Sequence, residues 1–312
     1  MFLRSIPLPG EVFLSGHTDG TIRISELNSG RSGEMLRVAP AEQMAVTADL
    51  RYVAIAGGAG VIIYALSSGE EVAALRYLQA RVVALDFFSE GESVLLGGAD
   101  GRVYRWRFLL DPATAPIGRR NQGVERYIGH ASVVSAVESH PAGRIFFSGD
   151  WSGVMSAWLA YDADPHQGKF DRDIFGGRFF GGETARTVGR AASGEQVDHL
   201  VVSPDGQTLI VALSPGVVEV RDVRGLRLLA TVPAHAGLVY SVAFAEDGRS
   251  FATVGRDGFV RTWRIERPDD PVRPVSIVRV GEVALAGARV VAIGDGKTAV
   301  GMSDGRVSDA GI

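Results

Sequence analysis

A short phrase recurs seven times along this chain: two small residues, a tight turn that ends in Gly, and a strand of alternating apolar and polar residues. The clearest copies read SGDWSGVMSAW at residues 148–158 and TVGRDGFVRTW at residues 253–263. The turn glycines are Gly20, Gly60, Gly101, Gly153, Gly216, Gly258 and Gly305, with successive gaps of 40, 41, 52, 63, 42 and 47 residues. A chain built from such repeats stacks one small structural unit against the next.

Each copy carries the signals of four strands. In the sixth copy, a strand at residues 239–244 precedes the hairpin strands at 250–254 and 259–265, and a fourth strand follows. Outer fourth strands are expected near residues 34–38, 71–78, 124–128, 185–189, 226–232 and 275–280. Four short strands per repeat are typical of a β-propeller blade. The sequence therefore predicts an all-β, seven-bladed propeller of four-stranded antiparallel blades.

The predicted ring is a single domain, residues 1–312, with insertions at residues 108–123 and 159–184. It is one strand short, because the chain stops at Ile312 after a third strand and residues 1–11 hold only one strand. We place the strand at residues 2–8 inside the first blade; closing the last blade with it is the alternative. An unpaired terminal edge could accept a strand from a partner. A three-stranded blade, or a chain continuing past Ile312, is the other interpretation.

Composition excludes several classes of function. The chain has no Cys, which excludes disulfides and thiolate sites, and its net charge of −4 argues against nucleic acid as a partner. Residues 52–69 lack charge, but Gly57, Gly58 and Gly60 interrupt them, so we predict a buried hairpin and no membrane insertion. The start lacks the apolar core of a signal peptide. We expect a bacterial, cytoplasmic protein.

The sixth copy closely resembles a WD40 repeat. The family pattern is a His before the inner strand, a hydroxyl in the second strand, an Asp in the turn and a Trp in the third strand. The matching residues here are His235, Thr253, Asp257 and Trp263. The resemblance implies a hydrogen-bonded chain that locks the blade, and these polar groups can satisfy one another when buried.

The other copies keep parts of this pattern. The fourth copy has His130, Ser148 and Trp158, but Ser152 stands where the family places its Asp. The third keeps Asp100 and Trp106 and has Leu96 at the hydroxyl position. The resemblance spans nearly the whole chain, and it implies a rigid disc that holds proteins or peptides, usually on the face that bears these turns.

No catalytic or metal site is predicted. The sequence lacks the nucleophile-elbow, zinc-protease and phosphate-loop motifs. His130 and His235 are assigned to blade networks and not to a metal, and Asp162, Asp164, Asp171 and Asp173 match no calcium-loop spacing. His140 lies in a turn after an inner strand, where we expect it to be exposed. We expect no cofactor.

Candidate binding residues lie at the hairpin tips and in the second insertion. Trp151, Arg256 and Thr18 occupy tip positions, and exposed Trp and Arg are typical interface anchors. Trp151 could instead fold over its own blade. Phe175, Phe179 and Phe180 are too many aromatics for a solvated loop. We predict a non-catalytic scaffold that recognises another protein or peptide within a larger assembly. The alternative is a propeller enzyme or small-ligand binder that uses the central channel.

Overall fold

The computed structural model describes residues 7–8, 12–17, 19–26, 32–38, 40, 42–76, 78–89, 91–109, 124–160, 187–268, 274–294, 297–304 and 306–312. These residues form 27 strands in seven antiparallel sheets. Each sheet pairs consecutive strands in chain order, so each sheet is one blade. The predicted seven-bladed propeller is confirmed.

The first three blades hold strands β1 to β12. Blade one contains β1 (Pro7–Leu8), β2 (Val12–Gly16), β3 (Thr21–Glu26) and β4 (Ser32–Arg37). Blade two contains β5 (Gln43–Val46), β6 (Tyr52–Gly57), β7 (Gly60–Ala65) and β8 (Glu71–Leu75). Blade three contains β9 (Val82–Phe87), β10 (Ser93–Gly98), β11 (Arg102–Arg107) and β12 (Val124–Ile128). The uncharged stretch at residues 52–69 is the hairpin of β6 and β7, as predicted.

The last four blades hold strands β13 to β27. Blade four contains β13 (Val134–Ser139), β14 (Ile145–Asp150), β15 (Val154–Leu159) and β16 (Thr187–Ala192). Blade five contains β17 (Val197–Val202), β18 (Thr208–Leu213), β19 (Val217–Asp222) and β20 (Leu228–Pro233). Blade six contains β21 (Val239–Phe244), β22 (Ser250–Gly255), β23 (Phe259–Glu266) and β24 (Ser276–Ala284). Blade seven contains β25 (Ala288–Gly294), β26 (Lys297–Met302) and β27 (Val307–Asp309).

The core consists of one apolar cluster at each of the seven contacts between neighbouring blades. The cluster between blades three and four, for example, contains Phe88, Phe146 and Trp158, each at most 1% exposed. Among the described residues, the cluster between blades seven and one has Phe13, Ala292 and Ala299 as its buried members.

The terminal strands are arranged as the favoured prediction had them. β1 pairs with β2 as the innermost strand of blade one. Blade seven has three strands among the described residues, so its outermost strand is β27. The single-domain boundaries and most of the two insertions stay predictions, since residues 110–123 and 161–186 lie outside the described part of the chain.

Five described outer strands carry a β-bulge, in which one residue has no partner on the neighbouring strand. The extra residues are Met35, Val72, Val188, Leu229 and Val280. A bulge twists an edge strand away from regular pairing and so discourages association between edges. β12 and β27 differ, because each pairs with its neighbouring strand in unbroken register.

Candidate functional site

A chain of hydrogen bonds crosses blade six from its third strand to its inner edge. Trp263 Nε1 donates to Thr253 Oγ1 over 2.9 Å. Thr253 Oγ1 lies 2.8 Å from His235 Nε2, and His235 Nδ1 lies 2.8 Å from Asp257 Oδ1. The structure thus brings together all four residues that the family pattern picked out. Arg261, which the sequence reasoning missed, donates through Nη1 to Asp257 Oδ2 over 2.7 Å.

Blade four has the same arrangement, but its carboxylate comes from a different position. Trp158 Nε1 donates to Ser148 Oγ over 2.7 Å, and Ser148 Oγ lies 2.6 Å from His130 Nε2. His130 Nδ1 lies 2.7 Å from Asp150 Oδ2. Asp150 ends β14, two residues before Ser152, where the family pattern would place the acid. The missing turn Asp is therefore replaced from within the blade.

The local sequence explains how both blades reach the same contact. Asp150 and Gly255 are equivalent, each three residues before its turn glycine. A Cβ built at Gly255 would lie 2.1 Å from His235 Nδ1, so a side chain there would enter the space of the imidazole. In blade six the acid comes from Asp257 and Gly255 leaves room; in blade four position 150 supplies the acid itself. Asp150 could have been found from the sequence, because an Asp at the end of a strand directly precedes a turn that contains Ser152.

Burial favours the neutral form of the histidine in each network. Burial lowers the pKa of His130 and of His235, and this outweighs the opposing effect of each neighbouring carboxylate. Although burial alone would raise the pKa of the Asp257 carboxyl, hydrogen bonds from Arg261 and His235 lower it to about 2. A neutral imidazole that donates through Nδ1 to a carboxylate accepts through Nε2, so in blade four the Ser148 hydroxyl donates to His130 and accepts from Trp158. In blade six, Arg261 Nη1 also lies 2.6 Å from His235 Nδ1, and the direction that the chemistry fixes is donation from Trp263 Nε1 to Thr253 Oγ1.

Replacing Trp263 by Phe tests the blade-six network. The change removes the donor to Thr253 Oγ1, and we expect a loss of about 1–3 kcal/mol in the free energy of unfolding, measured by denaturant titration. Trp106→Phe is the matched control, because Trp106 occupies the equivalent position and is equally buried, at 4% exposed, while Leu96 replaces the hydroxyl. Equal losses in the two variants would contradict the network assignment.

The hairpin tips form an equivalent set around one face of the ring. The backbone N–H of each tip residue donates to the carbonyl of the residue just before the inner strand, over 2.7 to 3.1 Å. The pairs are Ala99 with Arg81, Trp151 with Val133, Ser214 with Gln196, Arg256 with Leu238, and Ser303 with Gly287. These bonds hold the tips at the channel mouth. Thr18, assigned to the same position, lies outside the described residues.

A second set of equivalent residues lies in these inner strands, each two positions after the carbonyl that accepts the tip hydrogen bond. There, five described inner strands carry a β-bulge at the same place, opposite the end of the second strand. The residues without a strand partner, here called the bulge residues, are Val83, Ser135, Asp198, Tyr240 and Arg289. A bulge re-aims a side chain relative to a regular strand. All five line the central channel.

The central channel encloses a cavity of about 760 Å³. The face of the ring that carries the hairpin tips is here called the tip face. On this face, the channel mouth is formed by Trp151 of blade four, Gln196 of blade five and Leu238 of blade six. Trp151 is 50% exposed and Leu238 is 37% exposed. Trp151 therefore presents an aromatic surface to solvent at the channel mouth.

The other predicted binding residues are distributed differently. Arg256 is exposed at the tip of blade six but does not line the channel cavity. Phe175, Phe179 and Phe180 lie outside the described residues. Phe108, at the start of the first insertion, packs edge-on against Tyr52 with ring centroids 5.5 Å apart. That contact ties the beginning of this insertion to the core between blades two and three.

His140 is not exposed, contrary to the expectation from sequence. It is only 8% exposed. Its Nδ1 accepts from the Ala142 N–H at 3.0 Å, and its Nε2 lies 3.0 Å from the Gly206 carbonyl of blade five. The turn of the neighbouring blade covers it, and His140 thereby links blades four and five.

Metal clusters and membrane-spanning helices are both absent from the residues that the structure describes. Within those ranges, no group of three or more His, Asp or Glu side chains is arranged to hold a metal ion. The described residues likewise contain no helix of the length and apolar character needed to cross a bilayer.

Two segments of the sequence match a known family model. Residues 122–158 and 226–264 match the family model "WD domain, G-beta repeat". These segments contain the two His–Trp networks of blades four and six.

Two curated relatives come from Arabidopsis thaliana. The chain is 25% identical over 209 residues to Pre-mRNA-processing factor 19 homolog 2, covering 67% of this chain and 35% of that protein. It is 26% identical over 219 residues to a guanine nucleotide-binding protein subunit beta, covering 69% of this chain and 53% of the relative. The chain thus spans about a third of the first relative's length and about half of the second's.

A chain in the crystal structure of the Mitotic Checkpoint Complex superposes on this ring with a TM-score of 0.72 at 13% identity. The match covers 98% of this chain and 90% of that one, and it shows the shared fold. The chain is therefore a seven-bladed β-propeller that contains WD40 repeats at residues 122–158 and 226–264.

Proposed function

We propose that this chain is a non-catalytic scaffold that binds another protein or peptide on the tip face of the ring. The observation that carries the proposal is the half-exposed Trp151 at the channel mouth, where the exposed Leu238 lines the same cavity. Aromatic side chains on rigid supports are frequent anchors of protein interfaces, because they bury a large area at little conformational cost. The tip hydrogen bonds supply that rigidity.

The comparisons support the same proposal. One relative is named as a subunit of a guanine nucleotide-binding protein, and the matching solved chain belongs to a complex. Both descriptions are of proteins that act within assemblies. We extend that role to this chain, while its partner, a bacterial source and a cytoplasmic location stay predictions. Strand donation by a partner at the open edge of β27 also stays a prediction.

The alternative was an enzyme or small-ligand site in the channel, which requires converging ionisable groups. The channel is lined by Glu138, Asp198, His199 and Arg289. Glu138 is engaged with the backbone N–H of Val202 at 3.2 Å, and Arg289 donates to the Ala288 carbonyl at 3.1 Å. These contacts give Glu138 and Arg289 structural roles, so we favour the scaffold.

Affinity purification from the source organism tests the proposed face. We expect the double variant Trp151→Ala, Arg256→Ala to lose a protein that the wild type retains, as detected by mass spectrometry. Because both side chains are exposed, the free energy of unfolding should change by no more than about 0.5 kcal/mol.

Val280→Ala is the matched control, since Val280 is 58% exposed on the outer strand of blade six, away from the tip face. It should retain the partner. Loss of the partner in both variants, or in neither, would contradict a binding role for the tip face.

A further inference from the structure

Asp198 is the acidic member of the bulge residues, and its partners are neutral. Gln196 Nε2 donates to Oδ1 over 2.9 Å, and Ser214 Oγ donates to Oδ2 over 3.0 Å. In the part of the chain that the structure describes, no Arg or Lys side chain pairs with this carboxylate. Two other acids on the tip face have charged partners: Asp257 is bound by Arg261 and Glu42 by Arg81.

Arg289, the cationic member of the bulge residues, makes its contacts away from Asp198. The Arg289 guanidinium lies over the Tyr240 ring, 4.7 Å from its centroid, and Nη1 donates to the Ala288 carbonyl. Both contacts lie on the side of blades six and seven. Arg289 therefore does not supply the counter-charge for Asp198 in blade five.

Apolar side chains flank this carboxylate on both sides. Blade five lies between blade four, which carries Trp151, and blade six, which carries Leu238. All three side chains line the same cavity. A carboxylate set between exposed apolar groups matches the chemistry of Arg and Lys, whose alkyl stems cover apolar surface while the charged head reaches a counter-ion.

We propose that Asp198 binds the basic side chain of an Arg- or Lys-containing segment of the partner protein, with the alkyl stem between Trp151 and Leu238. This inference rests on the proposed scaffold function and specifies its partner. Gln196 and Ser214 hold the carboxylate in place before binding, which reduces the ordering cost of association. Trp151 adds a face on which a guanidinium or ammonium can lie.

Peptide display tests the proposal without knowledge of the natural partner. A library of random twelve-residue peptides is selected on the immobilised wild-type protein, and selected peptides are synthesised for affinity measurement. We expect enrichment of Arg and Lys over the starting library. Fluorescence can report binding, because Trp151 is half exposed whereas Trp106, Trp158 and Trp263 are at most 4% exposed. Replacing the selected Arg by citrulline should weaken binding at least tenfold.

Asp198→Asn keeps the size of the side chain and removes its charge; its amide oxygen can still accept from Gln196, and its NH2 can donate to the Ser214 hydroxyl. We expect it to weaken binding of the basic peptides at least tenfold and to reduce the salt dependence of their affinity. Asp304→Asn is the matched control, because Asp304 is paired with Arg306 and does not line the channel; it should bind like wild type.

The outcomes separate this inference from the proposed function. Peptides that require Trp151 but bind Asp198→Asn as tightly as wild type would overturn the role of Asp198 and leave the tip face as a binding surface. The absence of enrichment in Arg and Lys would also overturn it. Failure to select any peptide that depends on Trp151 would overturn both.

Discussion

Replacing Gly153 by Ala will lower the free energy of unfolding by about 2–5 kcal/mol, from backbone strain of about 1–2 kcal/mol and steric overlap of about 1–3 kcal/mol more. Gly153 has φ of +83° in the turn between β14 and β15, a conformation that L residues rarely adopt. A Cβ there would also lie 2.6 Å from the Glu195 carbonyl oxygen and 2.8 Å from its backbone nitrogen. Because these are backbone atoms of the segment leading into β17, that segment must move.

Gly258→Ala separates the two causes. Gly258 is the equivalent turn glycine of blade six, with φ of +81°, and a Cβ there would meet nothing within 4 Å. It should therefore lose only the strain, about 1–2 kcal/mol. Guanidinium titrations of the two variants measure the difference directly. Equal losses would show that the contact between the blade-four turn and Glu195 does not constrain the fold.

Gly153→Ala also tests whether packing between blades four and five affects the proposed binding site. Glu195 is followed by Gln196, which donates to Asp198. A displaced Glu195 would therefore shift the group that holds the Asp198 carboxylate. We expect Gly153→Ala, and not Gly258→Ala, to weaken peptide binding in the display-derived assay.

The blade repeat was predictable because each blade is specified locally. Positive φ at the turn favours Gly, and alternating strands flank it. The predicted Gly20, Gly101, Gly153, Gly216 and Gly258 have positive φ, whereas in blade two Gly58 has it and the predicted Gly60 begins β7; Gly305 lies outside the described residues. The predicted outer strand at residues 124–128 coincides with β12, and the single strand before the first hairpin is innermost in blade one. These features depend on residues near one another in the sequence.

What the sequence did not reveal depends on contacts between distant residues. The bulges that direct Asp198 and Arg289 into the channel arise from a register shift between paired strands, and apolar alternation does not encode that shift. His140 is buried because the turn of the next blade covers it. Asp150 was missed because the family pattern looks for the acid in the turn, whereas the imidazole can be reached from the strand end as well.

The Asp150 carboxylate is the residue of blade four whose removal should cost most. Its side chain and that of His130 are both 0% exposed. Oδ1 accepts from the Ser152 N–H at 2.8 Å, the Ser152 hydroxyl at 2.6 Å and the Val154 N–H at 3.0 Å. Oδ2 accepts from His130. Asp150→Ala leaves these donors without their acceptor, and each buried donor left unsatisfied costs about 1–3 kcal/mol.

Ser152→Ala is the matched control for Asp150→Ala. Ser152 is exposed and occupies the position where the family pattern places the acid, so it should lose about 1 kcal/mol or less. Although burial alone would raise the pKa of Asp150, hydrogen bonds from Ser152 and His130 lower it below 3.8. The carboxylate therefore stabilises the fold above its ordinary pKa, and the difference between wild type and Asp150→Ala should narrow as the pH falls through the lowered value. If Ser152→Ala proved as damaging as Asp150→Ala at neutral pH, the blade-four network would depend on the turn hydroxyl and not on the strand-end carboxylate.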